Sequence, residues 1–263
     1  MTSFQILILV VTEYAIYFTR EYTKYPLTMN AAEKLDNKLS AGSLVYILTG
    51  FVLPTHKKAE MDGIVSSMLL ARALVKGYNA RPVIICPEDN IPAVKSLSAV
   101  MGLHLFEDIE KLYSYSISMG VIVFPKELKQ AEEFTVYLCN RYLPDAVISV
   151  EAPGCNSCGV YHNAVGLDVT KLEAKTDILF SRLKEKGVLN IAIGDLGNET
   201  GMGTIKQYVQ KYIPYAADGS CSCGCGGGIV SEVSADNIIT ATVSDWGCNG
   251  MIAALAYIRK DMD

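Results

Sequence analysis

The sequence predicts an α/β protein: a single domain built on a mostly parallel sheet of about six or more strands, with helices on both faces. Three observations carry this expectation. Short, β-branched apolar runs alternate with longer stretches of helical period. The runs are apolar throughout rather than alternating, as strands covered on both faces are. A chain of 263 residues, 50% hydrophobic, 19% charged and with mean hydropathy +0.24, can bury a large core unaided and is not a disordered chain. The length suits one domain of this class, with residues 1–42 expected as an N-terminal helical region and 43–263 as the motif-bearing core.

The chain opens on an apolar run at 6–11 that is too short to span a bilayer. It lacks a basic leader, and Glu13 interrupts it before any small-residue cleavage site, so it is expected as a buried terminal helix or strand. Strands are expected at 43–48, 82–86, 120–124, 145–150, 188–193 and 237–243. Helices are expected at 63–76, with Ile64, Met68, Ala71 and Val75 on one face and Gly77 as C-cap, and at 92–101, stopped by Gly102. Further helices are expected at 126–139, 175–186, 205–212 and 249–260. The net charge of −5 with no Lys/Arg run argues against a nucleic-acid partner, and no other segment suits a membrane. Eight cysteines in a long chain without a convincing leader fit a reducing compartment, and the protein is expected to be soluble and cytoplasmic. Strand order and homo-oligomer formation are left open by the sequence.

In an open parallel sheet, ligands bind outside the carboxyl ends of the strands. The chemically unusual segments all follow strands. They are Thr49-Gly50-Phe51 with Glu60-Met61-Asp62-Gly63, then Glu151-Ala152-Pro153-Gly154, then residues 194–203, and finally Ser244-Asp245-Trp246-Gly247. The 194–203 segment carries Gly194, Asp195, Gly197, Asn198 and Glu199; its glycines allow close backbone approach, but its spacing is not that of a nucleotide-binding loop. The alternative for this segment is a tight strand-to-helix turn capped by Asn198 or Thr200. Glu60 and Asp62 read either as the dipole partner and cap of the helix from Gly63 or, facing Asp195 and Glu199, as a carboxylate cluster. Such a cluster needs a bound cation or a member that keeps its proton. Arg72 either pairs with a substrate carboxylate or lies along its helix edge. Trp246 either floors a pocket or packs on the sheet end. His56, His104 and His162 sit in unrelated contexts, which gives no support to a Ser-His-Asp triad. Cys155, Cys158, Cys221, Cys223 and Cys225 offer five thiol ligands on two loops for a structural metal, with reduced, unligated thiols as the alternative.

These motifs resemble the D-glutamate cyclase-like family from about residue 43 to the end. The resemblance runs through Thr49-Gly50-Phe51, Glu60-Met61-Asp62-Gly63, Leu70-Ala71-Arg72-Ala73-Leu74, Glu151-Ala152-Pro153-Gly154, the ten residues 194–203 and Ser244-Asp245-Trp246-Gly247. Met61, Leu196 and Asp245 stand where the family pattern has threonine, glycine and asparagine; the cysteine pairs are outside that pattern. The resemblance implies a lyase that cyclises D-glutamate to 5-oxo-D-proline with loss of water, and a small-molecule partner that is D-glutamate or a similar small diacid. Acid and base roles are then expected among Glu60, Asp62, Asp195 and Glu199, with Asn198 or Ser244 at the oxyanion. Substrate contacts are expected from Thr49, Gly50, Arg72, Glu151, Gly194, Gly197, Ser244, Asp245 and Trp246, with a candidate divalent cation on Asp195 and Glu199. The competing readings are a metal-dependent enzyme acting on another small amino or carboxylic acid, and a non-catalytic small-ligand module with a thiol-bound metal.

Overall fold

The computed structural model describes residues 26–260, so the apolar run at 6–11 lies outside the described residues. The described part of the N-terminal region holds helix α1 (Leu27–Lys38). The main sheet comprises β1 (Leu44–Thr49), β4 (Arg81–Cys86), β5 (His104–Phe106), β6 (Ser118–Val123), β7 (Ala146–Val150), β8 (Leu189–Gly194) and β9 (Asn237–Thr240). Its order is β5-β6-β4-β1-β7-β8-β9 and every pairing is parallel. A small hairpin, β2 (Val52–Leu53) with β3 (Lys58–Ala59), stands in the loop leaving β1. The other helices are α2 (Ile64–Tyr78), α3 (Ile91–Val100), α4 (Leu128–Arg141), α5 (Thr176–Glu185), α6 (Lys206–Tyr212) and α7 (Ser244–Arg259). Among the described residues, no helix is long and apolar enough to cross a membrane.

The alternation of side chains along β1 builds two cores at once. Val45 and Ile47 pack with Leu35 of α1, Met68 and Leu74 of α2 and Met251 of α7. Tyr46 and Leu48 point the other way, into Leu138 of α4 and Phe180 and Leu183 of α5. All six residues of β1 and of β4 are buried, which is why these strands read as unbroken apolar runs.

Four sequence expectations are corrected. The seventh strand, β5, went unpredicted: it is three residues long, lies at the sheet edge and is only partly covered. Gly77 lies within α2, and Asn79 closes that helix in the left-handed region with its N–H on the Leu74 and Val75 carbonyls. Thr200 does not cap a helix; its hydroxyl donates to the Pro153 carbonyl, and a 3₁₀ turn, Gly203–Ile205, precedes the short α6. Strand β9 stops at Thr240 and α7 starts at Ser244, five residues before the predicted 249, for a reason that lies in another part of the chain.

From β1 the chain moves outward through β4 on one side and, from β7, through β8 and β9 on the other. The direction of winding therefore reverses between β1 and β7, and a crevice opens beyond Thr49 and Val150, where this class of sheet holds its ligands.

Candidate active site

Two helices begin at this crevice, and each is capped by the other's loop. The Asp62 carboxylate, just before α2, accepts the Ser244 and Asp245 N–H groups of α7 at 3.3 and 2.9 Å. The Asp245 carboxylate, in the first turn of α7, accepts the Gly63 and Ser66 N–H groups of α2 at 2.9 and 3.2 Å. Of the two sequence readings of Asp62, the cap of its own helix gives way to this exchange, and the carboxylate cluster remains. Gly63 makes the crossing possible: it adopts φ +80, and a Cβ there would stand 2.3 Å from Cβ of Glu151.

The exchange brings the loops after β1, β7, β8 and β9 into one acidic mouth. Carboxylate oxygens of Asp62, Glu151 and Asp195 all lie within 4.8 Å of one another. Glu151 follows β7 directly in the left-handed region at φ +47, a strained conformation for a residue with a side chain, and the Ser244 hydroxyl donates to its Oε2. Burial, then the charges of Glu199 and Asp62, pushes the Glu151 carboxyl well above the usual range. Burial, then Glu151 and Glu199, does the same to Asp195, which is also hydrogen-bonded to Glu199. Glu60 and Asp62 are raised as well, chiefly by burial; beyond burial, Glu60 feels Asp62 most, whereas backbone N–H bonds partly offset the rise at Asp62. Among the described residues, no Lys or Arg forms an ion pair with any of these acids. The mouth can therefore hold protons, or a cation, that a lone carboxylate could not.

Glu199 supports the turn that carries Asp195. It is fully buried, and its two oxygens accept the backbone N–H groups of Asp195, Leu196 and Gly197 at 2.9, 2.9 and 2.7 Å. Its carboxylate folds the 194–199 turn while also facing Asp195, and the triad with metal-binding geometry has Asp62 and Glu151 with Asp195. Asn198 donates through Nδ2 to the His162 carbonyl at 3.0 Å and so ties that turn to the loop behind it.

Thr49 and Gly50 border the mouth beside Glu151 and Gly63. Gly50 N–H bonds the Glu151 carbonyl at 3.1 Å, and the buried Thr49 hydroxyl has no hydrogen-bond partner among the described residues. Arg72 does not reach the acids: it lies exposed nine residues along α2 and donates to the Met101 carbonyl at 2.5 Å, corresponding to the helix-edge alternative. Trp246 shares the first turn of α7 but turns outward, 64% exposed, into a groove of about 290 Å³ shared with Leu27 and Thr242.

Two residues escaped the sequence reading. Asn90, beyond β4, is fully buried against Gly50 with neither side-chain atom hydrogen-bonded. Glu173 is fully buried; its Oε1 accepts the Val52 N–H at 3.1 Å while Oε2 has no partner. Burial pushes the Glu173 carboxyl up to about 8, against the pull of Lys126 and Lys175.

The thiols divide. All eight cysteines are free. Cys221, Cys223 and Cys225 gather around His162, whereas Cys155 and Cys158 stay outside that group. The Cys155 thiol is pushed up to about 12, chiefly by burial, and Cys158 is exposed.

The family model described as D-glutamate cyclase-like, C-terminal, matches residues 21–262. The mitochondrial D-glutamate cyclase of Homo sapiens is 27% identical over 233 residues, covering 84% of this chain and 34% of the relative. The chain thus spans about a third of that relative's length.

Proposed function

The chain belongs to the D-glutamate cyclase-like family, and on that premise we propose that it is a lyase converting D-glutamate into 5-oxo-D-proline and water. The observation that carries the reading is the convergence of Asp62, Glu151 and Asp195 at the point where the sheet reverses its winding. In this reaction the ammonium nitrogen bonds the side-chain carboxyl carbon, one C–O bond of that carboxyl breaks, and two protons travel from nitrogen to the departing oxygen. The acidic mouth attracts the ammonium group, and Glu60, whose carboxylate makes no hydrogen bond among the described residues, is assigned as the base that frees the amine. Glu151 and Asp195, whose carboxyls burial and neighbouring charge raise well above the usual range, are assigned as the donors to the leaving oxygen. The Thr49 hydroxyl and the Asn90 amide have hydrogen bonds to spare at the same end and are assigned to the far carboxylate. Because both reacting groups belong to one molecule, holding it folded supplies much of the acceleration.

The triad also has the donor chemistry of a hard divalent cation. When bound, such an ion would neutralise the cluster and polarise a carboxyl oxygen. The test is mass spectrometry and NMR of D-glutamate incubated with the purified chain, with and without magnesium or manganese and beside L-glutamate and D-aspartate. Loss of one water from D-glutamate is the expected result. Turnover of another acid in its place, or of none, would refute the assignment.

A further inference from the structure

We propose that His162, Cys221, Cys223 and Cys225 form a Cys₃His zinc site that is structural and separate from the acidic mouth. The four ligand atoms all lie within 4.8 Å of one another. His162 Nε2 stands 3.1 Å from the Cys223 sulfur and 3.7 Å from that of Cys225; Cys221 sulfur is 3.5 and 3.4 Å from those of Cys223 and Cys225. A tetrahedral zinc with ordinary bond lengths sets sulfur–sulfur separations at about 3.8 Å and sulfur–nitrogen at about 3.5 Å, so the side chains are nearly in place for it. Alternate cysteines with Gly224 and Gly226 between and beyond them, both at positive φ, allow three thiols on five residues to turn toward one point.

The surroundings also suit an anionic thiolate centre. Asn156 Nδ2 donates to the Cys225 sulfur at 3.2 Å and to the Gly228 carbonyl at 2.7 Å. Its Oδ1 accepts the Cys158 and Val160 N–H groups at 2.9 and 3.0 Å, so one buried amide positions both loops. Three soft thiolates and an imidazole select zinc over the hard ions that suit carboxylates. With four protein ligands no position is left for substrate, which makes the site structural. Its place gives it a task. The glycine-rich loop has no regular structure to hold it, and His162 is bonded through its carbonyl to Asn198 in the turn that carries Asp195. A zinc ion there would fasten that loop to the support of the acidic turn.

The test begins with the full chain purified under reducing conditions without chelator. Elemental analysis should find one zinc per chain, retained in Cys158→Ser and lost in Cys223→Ser. Should Cys223→Ser fail to fold, cobalt substitution of the wild-type chain decides the matter. Thiolate-to-cobalt charge transfer and intense tetrahedral bands support the site, because a carboxylate site gives neither. A wild-type chain that carries no zinc and takes up neither zinc nor cobalt after reduction would overturn the proposal. So would equal metal content in the Cys158→Ser and Cys223→Ser chains.

Discussion

Glu173 offers a sharp test of how buried charge is handled beside the mouth. The carboxyl is fully buried, and burial lifts it from an ordinary 4.5 to about 8. The folded chain therefore keeps this proton over a range in which the unfolded chain has lost it. The folded state binds more protons there, so stability falls as pH rises from about 4.5 to about 8 and flattens beyond. At about 1.4 kcal/mol per pH unit, the full window is worth on the order of 5 kcal/mol. Glu173→Gln keeps the shape and the acceptor for the Val52 N–H but has no proton to lose. Wild type and variant should be similarly stable at pH 5. By pH 8.5 the variant should melt on the order of 10 °C higher, at a few degrees per kcal/mol for a chain of this size. Thermal unfolding followed by circular dichroism at both pH values measures the difference. Parallel curves, with the same offset at pH 5 and pH 8.5, would show that Glu173 is ionised in the folded chain and refute the reasoning.

Asp195→Asn should abolish turnover of D-glutamate while leaving the melting temperature unchanged or higher, since it removes a partly buried acid repelled by its neighbours; a fully active variant would move the site elsewhere. Glu199→Gln should instead destabilise the fold, by about 2–3 kcal/mol in denaturant unfolding, because an amide cannot accept three backbone N–H bonds through both its terminal atoms. Asp62→Ala and Asp245→Ala should each cost about 1 kcal/mol as lost caps. The double variant should cost less than their sum, because either loss alone loosens both helix ends; strict additivity in the cycle would show that the caps act independently. Thr49→Val should raise KM for D-glutamate with a smaller effect on kcat, as read from steady-state kinetics.

The central strands were legible because burial on both faces leaves an unbroken apolar run, as in β1 and β4. The edge strand β5 has no such run to show. The rim acids were legible for a topological reason: in a parallel sheet, residues that follow different strands share one end of the molecule. Which acid does what was not legible. Glu199 and Glu151 look alike in the chain, yet one accepts three backbone N–H groups while the other faces two further carboxylates. The start of α7 was misplaced because its cap comes from Asp62, 182 positions away. His162 joins thiols more than fifty positions downstream, and no local spacing announces that partnership. Glu173 sits between Leu172 and Ala174 in a loop, and only the folded chain reveals its burial.

The mutual capping of α2 and α7 has a consequence for how the molecule comes into being. Early and late stretches of the polypeptide are fastened by a double latch, each carboxylate seating the other's helix. Contacts so distant in sequence form slowly, because a long loop must close before they repay its entropy. A nascent chain still short of residue 245 already carries Asp62, Glu151 and Asp195, but α2 then lacks the carboxylate that seats its first turn. Assembly of the acid triad is thereby tied to the arrival of the final helix, and a truncated product would be left with its acids unaligned.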